Sequence, residues 1–161
     1  MKIYKDHTIL ITGGAGAIGS NLSRKLAESG AAKVIILDDL SASHKWNIPN
    51  LPNVLFVEGS ITNDIYLKRV FHEKPTYIFH LAAFFANQNS VDFPEQDLLV
   101  SQLGTIKLLE YAVLLGGLKR FVYAGSGCAI YGAQAPLPLK EDFVSLHLST
   151  PYQISKMGGE L

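Results

Sequence analysis

Tyr152 precedes Lys156 by four positions in "STPYQISKMGGEL", Ser149 to Leu161, the stretch with which this sequence closes. On a helix the two side chains project from one face. A free tyrosine, with a pKa of about 10, is a poor base at neutral pH, and an ammonium one helical turn away favours its phenolate. The couple is therefore suited to taking a proton from a hydroxyl and giving it back. With seven tyrosines in the chain such a spacing also arises by chance, so its weight comes from its surroundings. Pro151 stands where a helix prefers to begin. The strand-like run "RFVYAGSG" lies upstream and offers Ser126 as a small hydroxyl at the same edge.

A second constellation is "ILITGGAGAIGSNL", with Gly13, Gly16 and Gly19 directly after a β-branched run and at the mouth of a helical pattern. Gly13 allows a tight turn, Gly16 lets the backbone approach a pyrophosphate, and Gly19 lets helix and strand pack closely. The helix start then adds free N–H groups and partial positive charge. Glycine turns also occur for structural reasons alone, and the next strand decides between the readings. It ends in Asp38, nineteen positions after Gly19, where a carboxylate accepts the ribose hydroxyls of an adenosine. A carboxylate there repels the 2′-phosphate of NADP, so the expected cofactor is NAD. Asp39 either shares the role or caps the loop.

The elements that must position these groups are legible as alternating patterns. Strands are expected at Thr8 to Thr12, Lys33 to Asp38, Asn53 to Glu58, Tyr77 to Ala82 and Arg120 to Gly125, each apolar on both faces. Such strands belong to a parallel sheet covered by helices. Helices are expected at Ile18 to Ser29, Asp64 to His72 and about Glu95 to Leu115. With right-handed crossovers this is an α/β fold, a doubly wound Rossmann-like sheet in three α/β/α layers. The proline-bearing connections "NIPNLPN" and "QAPLPLKEDF" suit loops over the C-terminal edge of the sheet, where such folds bind ligands.

Composition bounds the rest. The 161 residues form one domain, residues 1–161, without repeats, linkers or an internal boundary. Fourteen basic residues balance fourteen acidic ones, so no charge footprint points to nucleic acid or an anionic membrane. Apolar runs read as strand-length, and the N-terminus lacks the long apolar core of a secretory signal. One cysteine, Cys128, excludes an internal disulfide, and a reducing, cytoplasmic setting is expected. His80 reads as a core or near-cofactor histidine, and no spaced partners suggest a metal.

Taken together these motifs resemble the extended short-chain dehydrogenase/reductase family, in its NAD-dependent nucleotide-sugar epimerase and dehydratase branch. The resemblance runs through "TGGAGAIGSNL", "LDDLS", "FHLAA", "LGTIKLLEYA", "RFVYAGSGCAIYG" and "PYQISKMGGE", in that order along the whole chain. "SGCAIYG" and "VSLHLSTPYQISK" look closest to members serving bacterial surface polysaccharides.

The resemblance implies that Tyr152 is the acid/base and that Lys156 holds the nicotinamide ribose and tunes Tyr152. It places Gly13, Gly16, Ala17, Ile18 and Gly19 at the pyrophosphate, Asp38 and Asp39 at the adenosine ribose, Ser60 and Ile61 beside adenine, and Leu81, Ala82 and Ala83 along the cofactor. Three positions depart from the pattern: Ser60 replaces an Asp, Ser101 an Asn, and the usual catalytic Ser or Thr falls on Gly127 counted back from Gly132. Ser126 is the neighbouring hydroxyl, and in a regular strand its side chain points to the opposite face. Cys128 is read as a small buried residue rather than a proton donor.

Members of this family are about twice as long, with a smaller C-terminal domain for the nucleotide sugar, so the chain is expected to be truncated on its C-terminal side. Truncation would leave an apolar sheet edge and helix face uncovered, and a homodimer through the helices is expected. The implied reaction transfers a hydride from a sugar carbon; the alternative is a non-catalytic NAD-binding module without a substrate pocket.

Overall fold

The computed structural model describes residues 2–84, 87–127, 131–132, 135–144 and 147–161. Its described strands are β1 (Thr8–Thr12), β2 (Lys33–Asp38), β3 (Val54–Glu58), β4 (Tyr77–His80) and β5 (Arg120–Tyr123). All pair in parallel in the order β3-β2-β1-β4-β5. The order reverses direction between β1 and β4, and a sheet of this kind opens a crevice at that point. The expected α/β architecture is therefore present.

Continuous apolar runs arise because β1 and β2 feed two cores. Leu10, Ile35 and Leu37 pack on one face with Leu67, Val70 and Phe71 of α2 (Asp64–His72). Ile9, Ile11, Val34 and Ile36 pack on the other with Leu26 and Ala27 of α1 (Ala17–Glu28). Successive side chains of a strand alternate faces, so a strand covered on both sides must be apolar throughout. β5 departs from that expectation: Arg120 and Val122 are exposed, because β5 is an edge and the described helices leave its outer face open.

Three strand ends were expected too long. Leu81–Ala82 and Ala124–Gly125 leave the ladder and turn across the crevice, and Asn53 stands in the turn before β3. The Asn53 amide donates to the carbonyls of Ala27 and Ala31, which fixes that turn.

The long helix is also more articulated than its periodicity predicts. A short α3 (Asn87–Asp92) precedes α4 (Pro94–Asp97), a π-helical section (Leu98–Leu103) and α5 (Gly104–Leu115). By length and composition alone, Pro94–Leu115 is apolar enough to cross a membrane, with a mean hydropathy of 1.5, where the sequence suggested only strand-length apolar runs. In place it is amphipathic: Leu108 and Ala112 lie against the sheet, Asp97, Ser101 and Thr105 are buried polar residues, and Leu103, Ile106 and Val113 face outward. The last described helix, α6 (Pro151–Glu160), lies along α4 and the π section.

Candidate functional site

The glycine turn is built by sterics. Gly13 has φ of +69°, and a Cβ on it would stand 2.7 Å from the Ala82 nitrogen, so the turn and the loop after β4 touch backbone to backbone. A Cβ on Gly19 would overlap the Gly13 carbonyl oxygen, so helix and turn also meet without side chains between them. The first turn of α1 has Gly16 as its N-cap with no side-chain cap. Its leading N–H groups are therefore left to a ligand or solvent.

Asp38 closes the other side of the turn. It is 9% exposed; Oδ2 accepts from the Ala15 N–H at 2.9 Å, and Oδ1 accepts from the Leu40 N–H at 2.9 Å and the Ser43 hydroxyl at 2.7 Å. A carboxylate offers about four lone-pair positions, so one on Oδ2 is still free for a hydroxyl. Asp39 caps its loop, accepting from the Ser41 N–H at 3.0 Å and the Ser41 hydroxyl at 2.6 Å, and it borders the same crevice.

α6 is started by Thr150, whose hydroxyl accepts from the Gln153 N–H at 3.4 Å, while Gln153 Oε1 accepts from the Ser149 N–H at 2.7 Å. Reciprocal capping of this kind fixes a first turn, and Pro151 pre-sets it. The Tyr152 N–H donates to the Ser90 hydroxyl at 3.0 Å, which ties that turn to α3. One turn later Lys156 is 4% exposed, donates from Nζ to the Ala124 carbonyl at 2.9 Å and stands 4.9 Å from the Tyr123 ring centre. Burial lowers its pKa, and the charges of Asp97 and Glu160 act the other way. Gly158 makes the helix approach possible, since a Cβ there would fall 2.6 Å from the Gln102 amide nitrogen.

Beneath the crevice His80 is fully buried, with Nδ1 2.6 Å from the Thr12 hydroxyl and Nε2 2.8 Å from the Thr105 hydroxyl. Thr105 spends its single proton on the Ser101 carbonyl, so it accepts from Nε2–H and His80 accepts at Nδ1 from Thr12. Burial first, and then the Lys156 charge, push the His80 pKa down to about 3, and the ring is neutral. Among the described residues no group of His, Cys, Asp and Glu is placed to hold a metal.

A cavity of about 530 Å³ opens over the C-terminal edge at the β1/β4 reversal. Its lining contains Gly13, Gly16, Ala17, Ile18, Gly19, Asp38, Asp39, Ser60, Ile61, Leu81, Ala82, Ala83, Tyr152 and Lys156, residues the sequence singled out from five separate segments. Ser126 is outside that lining, although Ala124 and Gly125 are within it. Cys128 lies outside the described residues. The sequence reading missed Ser43, Phe84, Gln96 and Val100, which also line the cavity. Ser43 carries no motif, and the other three are placed by the loop after β4 and the unusual winding of the long helix. The cavity can thus seat an elongated phosphate-bearing ligand, with donors at the α1 end and the Tyr152/Lys156 couple at the other.

Comparison with known proteins agrees with that geometry. Residues 9–161 match the model of the NAD dependent epimerase/dehydratase family. A UDP-glucose 4-epimerase of Mycolicibacterium smegmatis is 36% identical over 155 residues, 94% of this chain and 49% of that protein. The structure of an epimerase from Methanothermobacter thermautotrophicus superposes with a TM-score of 0.95 at 56% identity, covering 99% of this chain and 47% of that one. The Bordetella bronchiseptica enzyme WbmF, solved in complex with NAD+ and UDP, gives a TM-score of 0.86 at 35% identity, covering 99% and 44%. The chain spans about half the length of these relatives. With the fold, the glycine turn and the helix of Tyr152 all accounted for, the chain belongs to the NAD-dependent epimerase/dehydratase family.

Proposed function

We propose that this chain is the cofactor-binding portion of an NAD-dependent nucleotide-sugar epimerase or dehydratase. The observation that carries the reading is the shared cavity, which gathers uncapped helix donors, the Asp38 carboxylate and the Tyr152/Lys156 couple. The glycine turn and the N-terminus of α1 hold the pyrophosphate, Asp38 with Asp39 holds the adenosine ribose, Ile61 and Ser60 border the base, and Leu81 to Ala83 run beside the nicotinamide half. NAD supplies the hydride acceptor when bound. Tyr152 takes the proton of the reacting sugar hydroxyl, and Lys156, held by the Ala124 carbonyl, favours the phenolate and reaches the nicotinamide ribose. Ser126, outside the cavity lining, is the weakest member of the proposed catalytic set.

The same reading includes a nucleotide sugar as substrate, a cytoplasmic setting, and a homodimer through the long helix and α6. Exposed Leu103, Ile106 and Val113 on the one and Ile154 on the other support that pairing. A second reading is an NAD-binding module without turnover, which draws support from Ser126, the proposed catalytic hydroxyl, standing outside the cavity lining. Calorimetry of the 161-residue chain with NAD and NADP, followed by UDP-, GDP-, CDP- and dTDP-sugars, separates the two. NAD binding over NADP, lost in Asp38→Ala, supports cofactor binding; turnover then selects the enzyme and its absence the module. No heat with NAD refutes both.

A further inference from the structure

We propose that Asp97 is the positioning carboxylate of the Tyr152/Lys156 couple: its buried charge balances the Lys156 ammonium while its two oxygens tie α6 to the long helix. The inference rests on the acid–base reading of that couple. Asp97 is 0% exposed. Its Oδ2 accepts from the Ser155 hydroxyl at 2.7 Å, and its Oδ1 accepts from the Ser101 hydroxyl at 3.2 Å. Ser101 in turn accepts from the N–H of Phe84, a residue of the cavity lining, at 3.0 Å. Among the described residues no cation lies within ion-pair distance of Asp97. Two neutral hydroxyls do not offset the desolvation of a carboxylate, so a buried anion here needs a positive charge in the same dry region.

Lys156 is that charge. It follows Ser155 directly, is itself buried, and rests on neutral partners, the Ala124 carbonyl and the Tyr123 ring. The groups facing it are few. From β5 comes Tyr123, whose hydroxyl burial pushes up to about 12, leaving it neutral. From β4 comes neutral His80, and from α6 itself come Tyr152 and the exposed Glu160. Asp97 is the buried anion among them, and of the two acids that favour the protonated lysine it has the larger effect. A purely structural staple would need only the hydroxyl ties, and an asparagine preserves those: serine hydroxyls rotate, one donating to the amide oxygen and the other accepting from the amide nitrogen.

The test follows the proton directly in the ligand-free chain. In protein labelled with 13C-lysine, the Lys156 resonance is identified by its loss in Lys156→Met, and its midpoint is read by NMR titration. Asp97→Asn is expected to lower that midpoint by about one pH unit, on the order of tenfold in proton affinity, whereas Ser155→Ala, which keeps the charge, shifts it by less than about 0.3. A midpoint in Asp97→Asn within about 0.3 of the native value overturns the proposal. If Asp97→Asn fails to fold, the double variant Asp97→Asn with Lys156→Met supplies the second measurement: removing both charges should restore the native circular dichroism, and a double variant as unfolded as Asp97→Asn overturns the proposal equally. No cofactor enters either experiment, so failure of NAD binding and failure of this charge balance are read separately.

Discussion

Replacing Gly13 by alanine separates the two demands that the turn makes on its first glycine. The residue sits at φ of +69°, where an L side chain costs about 1–2 kcal/mol. Its new methyl would also stand 2.7 Å from the Ala82 nitrogen and 2.9 Å from the Leu81 carbonyl carbon, both backbone atoms with little room to retreat. Forcing a methyl into packed surroundings adds about 1–3 kcal/mol, giving roughly 2–5 kcal/mol in all. Gly117 supplies the control, with nearly the same φ of +68° and nothing within 4 Å of its Cβ. Gly117→Ala should therefore cost only the backbone share, about 1–2 kcal/mol. Urea unfolding followed by far-ultraviolet circular dichroism measures both. On heating, the Gly13 variant should melt roughly 4–20 °C below the native chain. Equal losses in the two variants would refute the argument that backbone contact between the turn and the loop after β4 fixes this position.

Two other outcomes follow from the same geometry. His80 has a folded pKa of about 3 against 6.5 for an unperturbed ring, so its neutral form stabilises the fold above pH 6.5 and that contribution is lost progressively as pH falls towards 3. Between pH 6.5 and pH 5 the loss should be about 2 kcal/mol, and His80→Asn should flatten this part of the urea-midpoint profile; parallel profiles would contradict the burial argument. For the proposed dimer, Ile106→Lys with Val113→Lys introduces charge on an exposed apolar face. Sedimentation should show dimers of the native chain and monomers of the variant with unchanged circular dichroism, and a native monomer would remove the interface.

Much of the site was legible because its chemistry is local. The tight turn needs Gly13 whatever packs around it, and the carboxylate at the end of β2 lies one strand away from the helix N-terminus it complements. Tyr152 and Lys156 need only one helical turn to share a face. The alternation of Ile9, Leu10 and Ile11 between two cores was written in the strand as an unbroken apolar run. The strand ends were less legible, because Leu81 and Ala82 keep strand-like composition while their backbone turns across the cavity.

What composition and spacing determined, then, was the parallel sheet, its crossovers and the glycine and tyrosine motifs, since each depends on contacts between near neighbours or on a repeating period. Only the tertiary structure decided that fourteen of those residues border one cavity, that Ser126 stands outside its lining, and that the buried Asp97 accepts from Ser155, next in sequence to the buried Lys156. Asp97 and Ser155 are 58 positions apart, and no pattern along the chain records a hydrogen bond between them. Such pairings follow from how the long helix winds at its π section and where α6 comes to rest on it, and both are consequences of packing rather than of sequence period.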